Sequence, residues 1–169
     1  MTTFDLRRAR LRSGEQLRES VEVQLEPLVL GGNEYAPVPD RVPAELTITK
    51  ATSGSVFELD FRASLHGPCF RCLRDTVLDQ SIYAREYHAN EPAGDEELRS
   101  PYVAEDTLDL SAWARDALSL ELPDKILHSP DCAGLCPVCG KDLNEEPHAH
   151  EETSGDPRWA ALDELRGRL

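Results

Sequence analysis

The chain has 169 residues, of which 40% are apolar and 12 are proline, proportions that suit one compact domain with loop-like appendages. No apolar run approaches ~18 residues, which excludes a membrane-spanning helix, and the start, MTTFDLRRARLRSGEQ, lacks the apolar stretch of a secretory signal. The net charge of −14 is lopsided, with 11 Lys/Arg against 12 Asp/Glu in residues 1–85 and 7 against 20 in residues 86–169, so the second half repels phosphate.

Residues 4–12 (FDLRRARLR) suit an extended arm or a short helix, and they gather Arg7, Arg8, Arg10 and Arg12, the first cations that an RNA backbone could meet. Over 20–30, Val21, Val23 and Leu25 alternate with Glu22, Gln24 and Glu26, which predicts a strand with one wet face. Gly31-Gly32-Asn33 breaks it, and the three prolines between Tyr35 and Pro43 predict an irregular linker. Ala44, Leu46 and Ile48 then alternate with Glu45, Thr47 and Thr49; beyond a turn at 52–54, Phe57, Leu59, Phe61, Ala63 and Leu65 do the same. These runs predict an antiparallel hairpin with one buried face, and Thr76–Tyr87 a strand that returns along it.

Residues 89–100 are acidic and predict a mobile loop. Asp109 or Ser111 can cap a helix that places Leu110, Trp113, Ala114, Ala117 and Leu118 on one face, with Pro123 as its stop. Trp113 belongs to the core on this reading. Beyond it, 1–143 form an α+β domain, 144–156 a flexible acidic linker, and 157–169 an amphipathic C-terminal helix or tail. The expected architecture is an antiparallel, strongly curved or barrel-like sheet with one packed helix and a Cys-rich zinc-knuckle region.

The chemistry is concentrated in two Cys-x-x-Cys pairs, Cys69/Cys72 and Cys136/Cys139, with Cys132 just before the second. Such a turn offers two thiolates about 3.5–4 Å apart, the separation that ~2.3 Å Zn–S bonds require. Gly140, one place after its pair, suits the left-handed backbone of this kind of turn. Five cysteines without a secretory signal point to a reducing, cytoplasmic setting, where thiols serve as ligands and not as disulfides. His128, His148 and His150 complete the candidates, giving one or two structural Zn2+ ions, while His66 and His88 belong to no constellation.

Three arrangements fit the spacing. One is a ribbon of Cys69, Cys72, Cys136 and Cys139. A second divides the ligands in chain order, Cys69, Cys72, His128 and Cys132 followed by Cys136, Cys139, His148 and His150. The third joins Cys132, Cys136 and Cys139 to one histidine.

Three stretches together resemble the YceD family, the large ribosomal RNA subunit accumulation proteins: Cys69-Phe70-Arg71-Cys72-Leu73 after a strand, Leu120-Glu121-Leu122-Pro123 ending a helix, and the run from Cys132 through Gly140-Lys141-Asp142-Leu143-Asn144, closed by Asp156-Pro157-Arg158-Trp159. The resemblance covers residues from about 15 onward. It implies a cytoplasmic, non-enzymatic protein in large-subunit rRNA processing or accumulation, with rRNA or a ribosomal protein as partner. Many members carry Cys-x-Cys where this chain has His148-Ala149-His150, which favours ligation there.

On that reading Arg62, Arg71, Arg74 and Arg85 are the RNA-facing candidates, on or beside the strands. The competing reading is an acidic adaptor that holds a basic ribosomal protein without touching RNA. An enzyme is disfavoured: no His-Glu-x-x-His pattern is present, and Cys72 leads into a strand-like run where a redox Cys-x-x-Cys normally opens a helix. No membrane or small-molecule substrate is expected.

Overall fold

The structure is a computed structural model describing residues 1–91 and 98–150. The centre of the acidic 89–100 loop, the end of the 144–156 linker and the amphipathic segment 157–169 lie outside the described residues. Among the described residues, nine strands and one α-helix follow in order: β1 (Thr3–Asp5), β2 (Gln16–Gln24), β3 (Leu28–Leu30), β4 (Asn33–Pro37), β5 (Arg41–Lys50), β6 (Gly54–Pro68), β7 (Asp75–Ala89), β8 (Val103–Ala104), β9 (Thr107–Asp109) and α1 (Leu110–Glu121). No helix among them is long and apolar enough to cross a membrane.

The framework is the β6–β7 hairpin, two 15-residue strands paired antiparallel along their whole length from Gly54↔Ala89 to Pro68↔Asp75. The other edge of β6 takes β5 along its first half and β4 near its end, so the main sheet runs β2-β5-β6-β4-β3 with β7 on the free side of β6. Alternation drives this pairing. Phe57, Leu59, Phe61, Ala63 and Leu65 of β6 are all buried and meet Ile48, Leu46 and Ala44 across the strand pair, the apolar cross-strand packing that stabilises a sheet.

Two expectations change here. The sheet is open: its inner face is covered by α1 and by a small β1-β9-β8 sheet, which stand where the far wall of a barrel would close. The segment Tyr35–Pro43 is no linker but two strand pieces, β4 and β5, that share one edge of β6. Pro43 fits because β5 pairs with β6 only from Ala44 onward and Pro43 so owes β6 no N–H, while Pro37 is the last residue of the β4–β6 register. Tyr35 is fully buried and its hydroxyl donates to the Pro68 carbonyl at 2.9 Å, fixing the end of β6. The Gly31-Gly32 break is a two-residue hairpin turn joining β3 to β4, with φ of 59° and 84°, which glycine adopts without penalty.

The N-terminal arm combines both of its alternatives: β1 pairs with β9, and Leu6–Arg8 form a single 3-10 turn. Helix α1 starts at Asp109, whose carboxylate accepts from the Ala112 N–H at 3.0 Å. Ser111 instead accepts from the Thr2 N–H and ties down the arm. The helix ends at Leu122, which the following Pro123 holds extended. Leu110, Trp113, Ala114, Ala117 and Leu118 are buried, and Trp113 stacks beside Tyr102.

Gly67, near the tip of β6, leaves room for the Tyr35 ring; a Cβ there would press on that ring and lie 2.7 Å from the Glu34 carbonyl oxygen. Gly67→Ala is therefore expected to destabilise the fold by about 1–3 kcal/mol through overpacking, read from urea unfolding. An unchanged midpoint would show that the tip yields freely.

Candidate metal centres

The β6–β7 tip carries the first cysteine pair on a tight turn. The Cys69 N–H donates to the Arg74 carbonyl at 2.7 Å and the Leu73 N–H to the Cys69 carbonyl at 3.0 Å, with Leu73 at φ 62°. The second pair repeats this pattern. The Cys136 N–H donates to the Lys141 carbonyl and the Gly140 N–H to the Cys136 carbonyl, both at 2.8 Å, with Gly140 at φ 72°. Each turn directs its two sulfurs to one side. After the first, Asp75 opens a strand and not a helix, so no helix N-terminus acidifies that pair.

The segment after α1 has little regular structure and folds back onto the tip. Ile126 is buried in the main core, and its carbonyl accepts from the Phe70 N–H at 2.8 Å. The Arg71 guanidinium donates to the Cys132 carbonyl at 2.7 Å, and the Leu135 N–H donates to the Arg71 carbonyl at 3.1 Å. Gly134, at φ 81°, allows this approach, since a Cβ there would lie 3.3 Å from Arg71.

The eight candidate ligands consequently fall into two groups in chain order. Cys69, Cys72, His128 and Cys132 form one, Cys136, Cys139, His148 and His150 the other, and within each the ligand atoms lie within 4.8 Å of one another. The four cysteines of the single-ribbon arrangement are divided between the groups, and Cys132 sits with the first pair.

In the proximal group Cys69 and Cys132 are almost wholly buried, their sulfurs 3.8 Å apart, and His128 Nδ1 lies 3.2 Å from the Cys72 sulfur. Leu127 and Leu135 pack around the thiols. Burial raises the Cys69 thiol, but hydrogen bonds from His128 and from nearby backbone N–H groups outweigh it and bring it down to about 5. Burial, reinforced by the neighbouring sulfurs, pushes Cys72 up to about 11. One thiol thus ionises readily while its neighbour resists a second negative charge, a conflict that a divalent cation removes. Asn144, to which the sequence assigned no role, donates to the Cys132 sulfur at 3.7 Å and accepts from the Ala133 N–H at 2.8 Å. Such outer partners orient a thiolate ligand. Its place beside the second cysteine pair was visible in sequence, but its reach to Cys132 is a product of the fold.

The distal group is more open: Cys136 is buried, while Cys139, His148 and His150 are exposed. Hydrogen bonding, chiefly from the Cys139 backbone N–H, lowers Cys136 to about 6. His148 Nδ1 lies 2.7 Å from the Glu146 carbonyl oxygen, which can only accept, so the ring proton belongs on Nδ1. Nε2 lies 3.1 Å from the Cys139 sulfur and faces into the group. Asn144 and His148 are thereby bonded to neighbouring backbone of this region.

The four arginines separate. Arg74 bonds Asp142 through two nitrogens (2.9 Å from Nε) and reaches Glu145 at 3.2 Å, linking the first turn to the second group. The Asp142 carboxyl is held below the usual range, mainly by the Asn144 N–H and Arg74. Arg71 is engaged with the Cys132 carbonyl. Arg62 and Arg85 lie on the outer face of the sheet, Arg62 opposite Ser81, and Arg85 opposite Glu58 with its Nε 4.0 Å from the carboxylate.

The family described as "Large ribosomal RNA subunit accumulation protein YceD" matches residues 57–166, a span that starts on β6 and includes both ligand groups. The uncharacterized protein Rv2926c of Mycobacterium tuberculosis is 36% identical over 129 residues, covering 73% of this chain and 61% of its own length. ML1660 of Mycobacterium leprae is 35% identical over 104 residues (57% of this chain, 46% of that protein), and YlbN of Bacillus subtilis 27% over 113 (64% of each). The chain thus spans about three fifths of the Mycobacterium tuberculosis relative. No solved structure matches it.

Leu73 holds the left-handed position that Gly140 fills in the second turn, and it is 57% exposed. Leu73→Gly removes a backbone penalty of about 1–2 kcal/mol and adds unfolded-state freedom, for an expected net gain of up to about 1 kcal/mol in urea unfolding. A loss of stability would mean that Leu73 makes a contact worth more than its strain.

Proposed function

The chain belongs to the YceD family, and from that premise we infer that it is a zinc-stabilised, non-enzymatic protein that supports the accumulation of large-subunit rRNA. The metal part of this reading is carried by one observation, the gathering of eight Cys and His side chains into two four-donor groups. Cys3His and Cys2His2 sets are the chemistry of zinc, and four protein donors close a tetrahedral ion with no position left for substrate or water. Both ions are therefore structural in this account. The proximal one joins the β6–β7 tip to the segment after α1, and the distal one folds residues 136–150 into a lobe.

The ribosomal part rests on the family's description, with rRNA as the partner and the cytoplasm as the setting. Arg62 and Arg85 are the phosphate-facing candidates on the sheet. Arg71 and Arg74 serve the fold, because their guanidinium groups are already bonded to Cys132 and to Asp142. The excess of carboxylates in the second half supports the alternative, an adaptor that holds a basic ribosomal protein.

Two measurements test this reading. Native mass spectrometry is expected to find two zinc ions per chain, one after His148→Ala and a destabilised protein after Cys132→Ser; metal-free wild-type protein with five titratable thiols would remove the metal from the account. Depletion in the parent cell is expected to lower large-subunit rRNA relative to small-subunit rRNA, with rescue by the wild type but not by Cys132→Ser. An unchanged ratio would sink the ribosomal role. Capture of a basic ribosomal protein that survives ribonuclease, with no binding to purified rRNA, would select the adaptor.

A further inference from the structure

At the end of the β6–β7 hairpin away from the cysteines, roughly 40 Å along the strands, the N-terminal arm and the sheet enclose a cleft of about 400 Å³. Ile48 and Phe57 of the main core lie beneath it, almost wholly buried, and its exposed apolar lining is Leu6, Ala9 and Leu11 of the arm with Val103. Its rim is cationic in a chain whose net charge is −14. Among the described residues, Arg7, Arg10 and Lys50 line it with one carboxylate, Asp106. Arg7 is already paired with Asp5 at 3.0 Å, which leaves Arg10 and Lys50 to set the sign.

Their neighbours keep these groups available. Lys50 Nζ donates to Asn90 Oδ1 at 2.8 Å and to Ser55 Oγ at 3.2 Å. Both acceptors are neutral, so the ammonium is oriented without losing its charge and retains a third N–H. His88 Nδ1 lies 3.2 Å from the Ser100 N–H and accepts it, which places the ring proton on Nε2. Burial, aided by Arg99 and Lys50, lowers the pKa of His88 and favours this neutral donor form. An apolar wall beside two cations and one neutral donor matches a ligand with a flat apolar part and an anionic part. The volume lies at the small end of the ~300–1,000 Å³ range of ligand sites.

We propose that this cleft binds one nucleotide of a single-stranded RNA, with the phosphate at Arg10 and Lys50 and the base against the partly exposed apolar lining of Leu6, Leu11 and Val103. The inference rests on the reading that the protein acts through rRNA. Unpaired RNA is the form whose bases can be splayed into such a cleft, while its phosphates bind cations in a salt-dependent way. It also gives a place to the N-terminal arginine cluster, and it puts the RNA contact far from the carboxylate-rich lobe around the distal ligand group.

The test is a titration of the full chain, isotope-labelled for amide NMR, with adenosine 5′-monophosphate, with adenosine and with inorganic phosphate. Adenosine monophosphate is expected to give saturable shifts at Leu11, Lys50 and Val103, at lower concentration than either fragment. Arg10→Ser combined with Lys50→Met is expected to weaken it at least tenfold. Arg10→Ser alone, at an exposed residue, gives a smaller loss and keeps the test valid if the double variant fails to fold. No shifts at these amides, or phosphate saturating them as readily as the nucleotide, would overturn the proposal. Shifts produced only by a peptide with a free carboxylate would also overturn it. The two readings fail separately. Nucleotide binding in a protein whose depletion leaves large-subunit rRNA unchanged keeps the cleft and loses the ribosomal role. Full rescue of rRNA by the double variant, with no nucleotide shifts in the wild type, loses the cleft alone.

Discussion

Three thiols and an imidazole packed together at the tip of the β6–β7 hairpin set the terms for the rest of the structure. The sulfurs of Cys69, Cys72 and Cys132 are nearly inaccessible to water, and there the opposed shifts of Cys69 and Cys72 express the difficulty of placing a second thiolate beside the first. On the proposed reading a zinc ion would neutralise that charge, and structural sites of this kind contribute on the order of 10 kcal/mol at neutral pH. The segment that gains most has almost no ladder of its own. Residues 126–150 contain one isolated bridge, Leu135↔Asp142, and are held by a few backbone bonds, by Arg71 and Arg74, and by the two ligand groups.

The two groups share a turn geometry yet differ in setting. The proximal turn is the end of two long paired strands and lies against Ile126, Leu127 and Leu135. The distal turn projects from it, anchored through Cys136, the Arg74–Asp142 bond and the Leu143 N–H to the Gly134 carbonyl. On the proposed reading, metal at the proximal group would build the platform on which the distal lobe stands, and the dependence would run from sheet to tip to lobe. The cleft under the N-terminal arm lies at the other end of the same hairpin. β6–β7 therefore separates the end that carries the candidate ligand groups from the end that carries the Arg10–Lys50 cleft.

Much of this was legible in the residues. Period-two alternation located β5, β6 and β7, and the 3.6-residue spacing of Leu110, Trp113, Ala114, Ala117 and Leu118 gave the buried face of α1. The prolines of 35–43 suggest a linker, yet Pro37 closes the β4–β6 ladder and Pro43 lies just outside the β5–β6 one, positions set by the pairing and not by the segment. Curvature was over-read as closure, since nothing local reveals that α1 and the small sheet occupy the inner face. Ligand spacing identified eight candidates but left three groupings open. The deciding contacts, Arg71 to the Cys132 carbonyl and Asn144 to the Cys132 sulfur, join residues far apart in the chain or separated by a turn. The bonds of Arg71 to the Cys132 carbonyl and of Arg74 to Asp142 join residues 61 and 68 positions apart, so they were not legible in the sequence.

The central claim is that two zinc ions, one with three sulfurs and one nitrogen and one with two of each, order the end of the hairpin. X-ray absorption at the zinc edge of the purified full chain tests it most directly. The account predicts five sulfurs near ~2.3 Å and three imidazole nitrogens near ~2.0–2.1 Å shared by two zincs. A single zinc in an all-sulfur shell, or a shell dominated by oxygen, would contradict it.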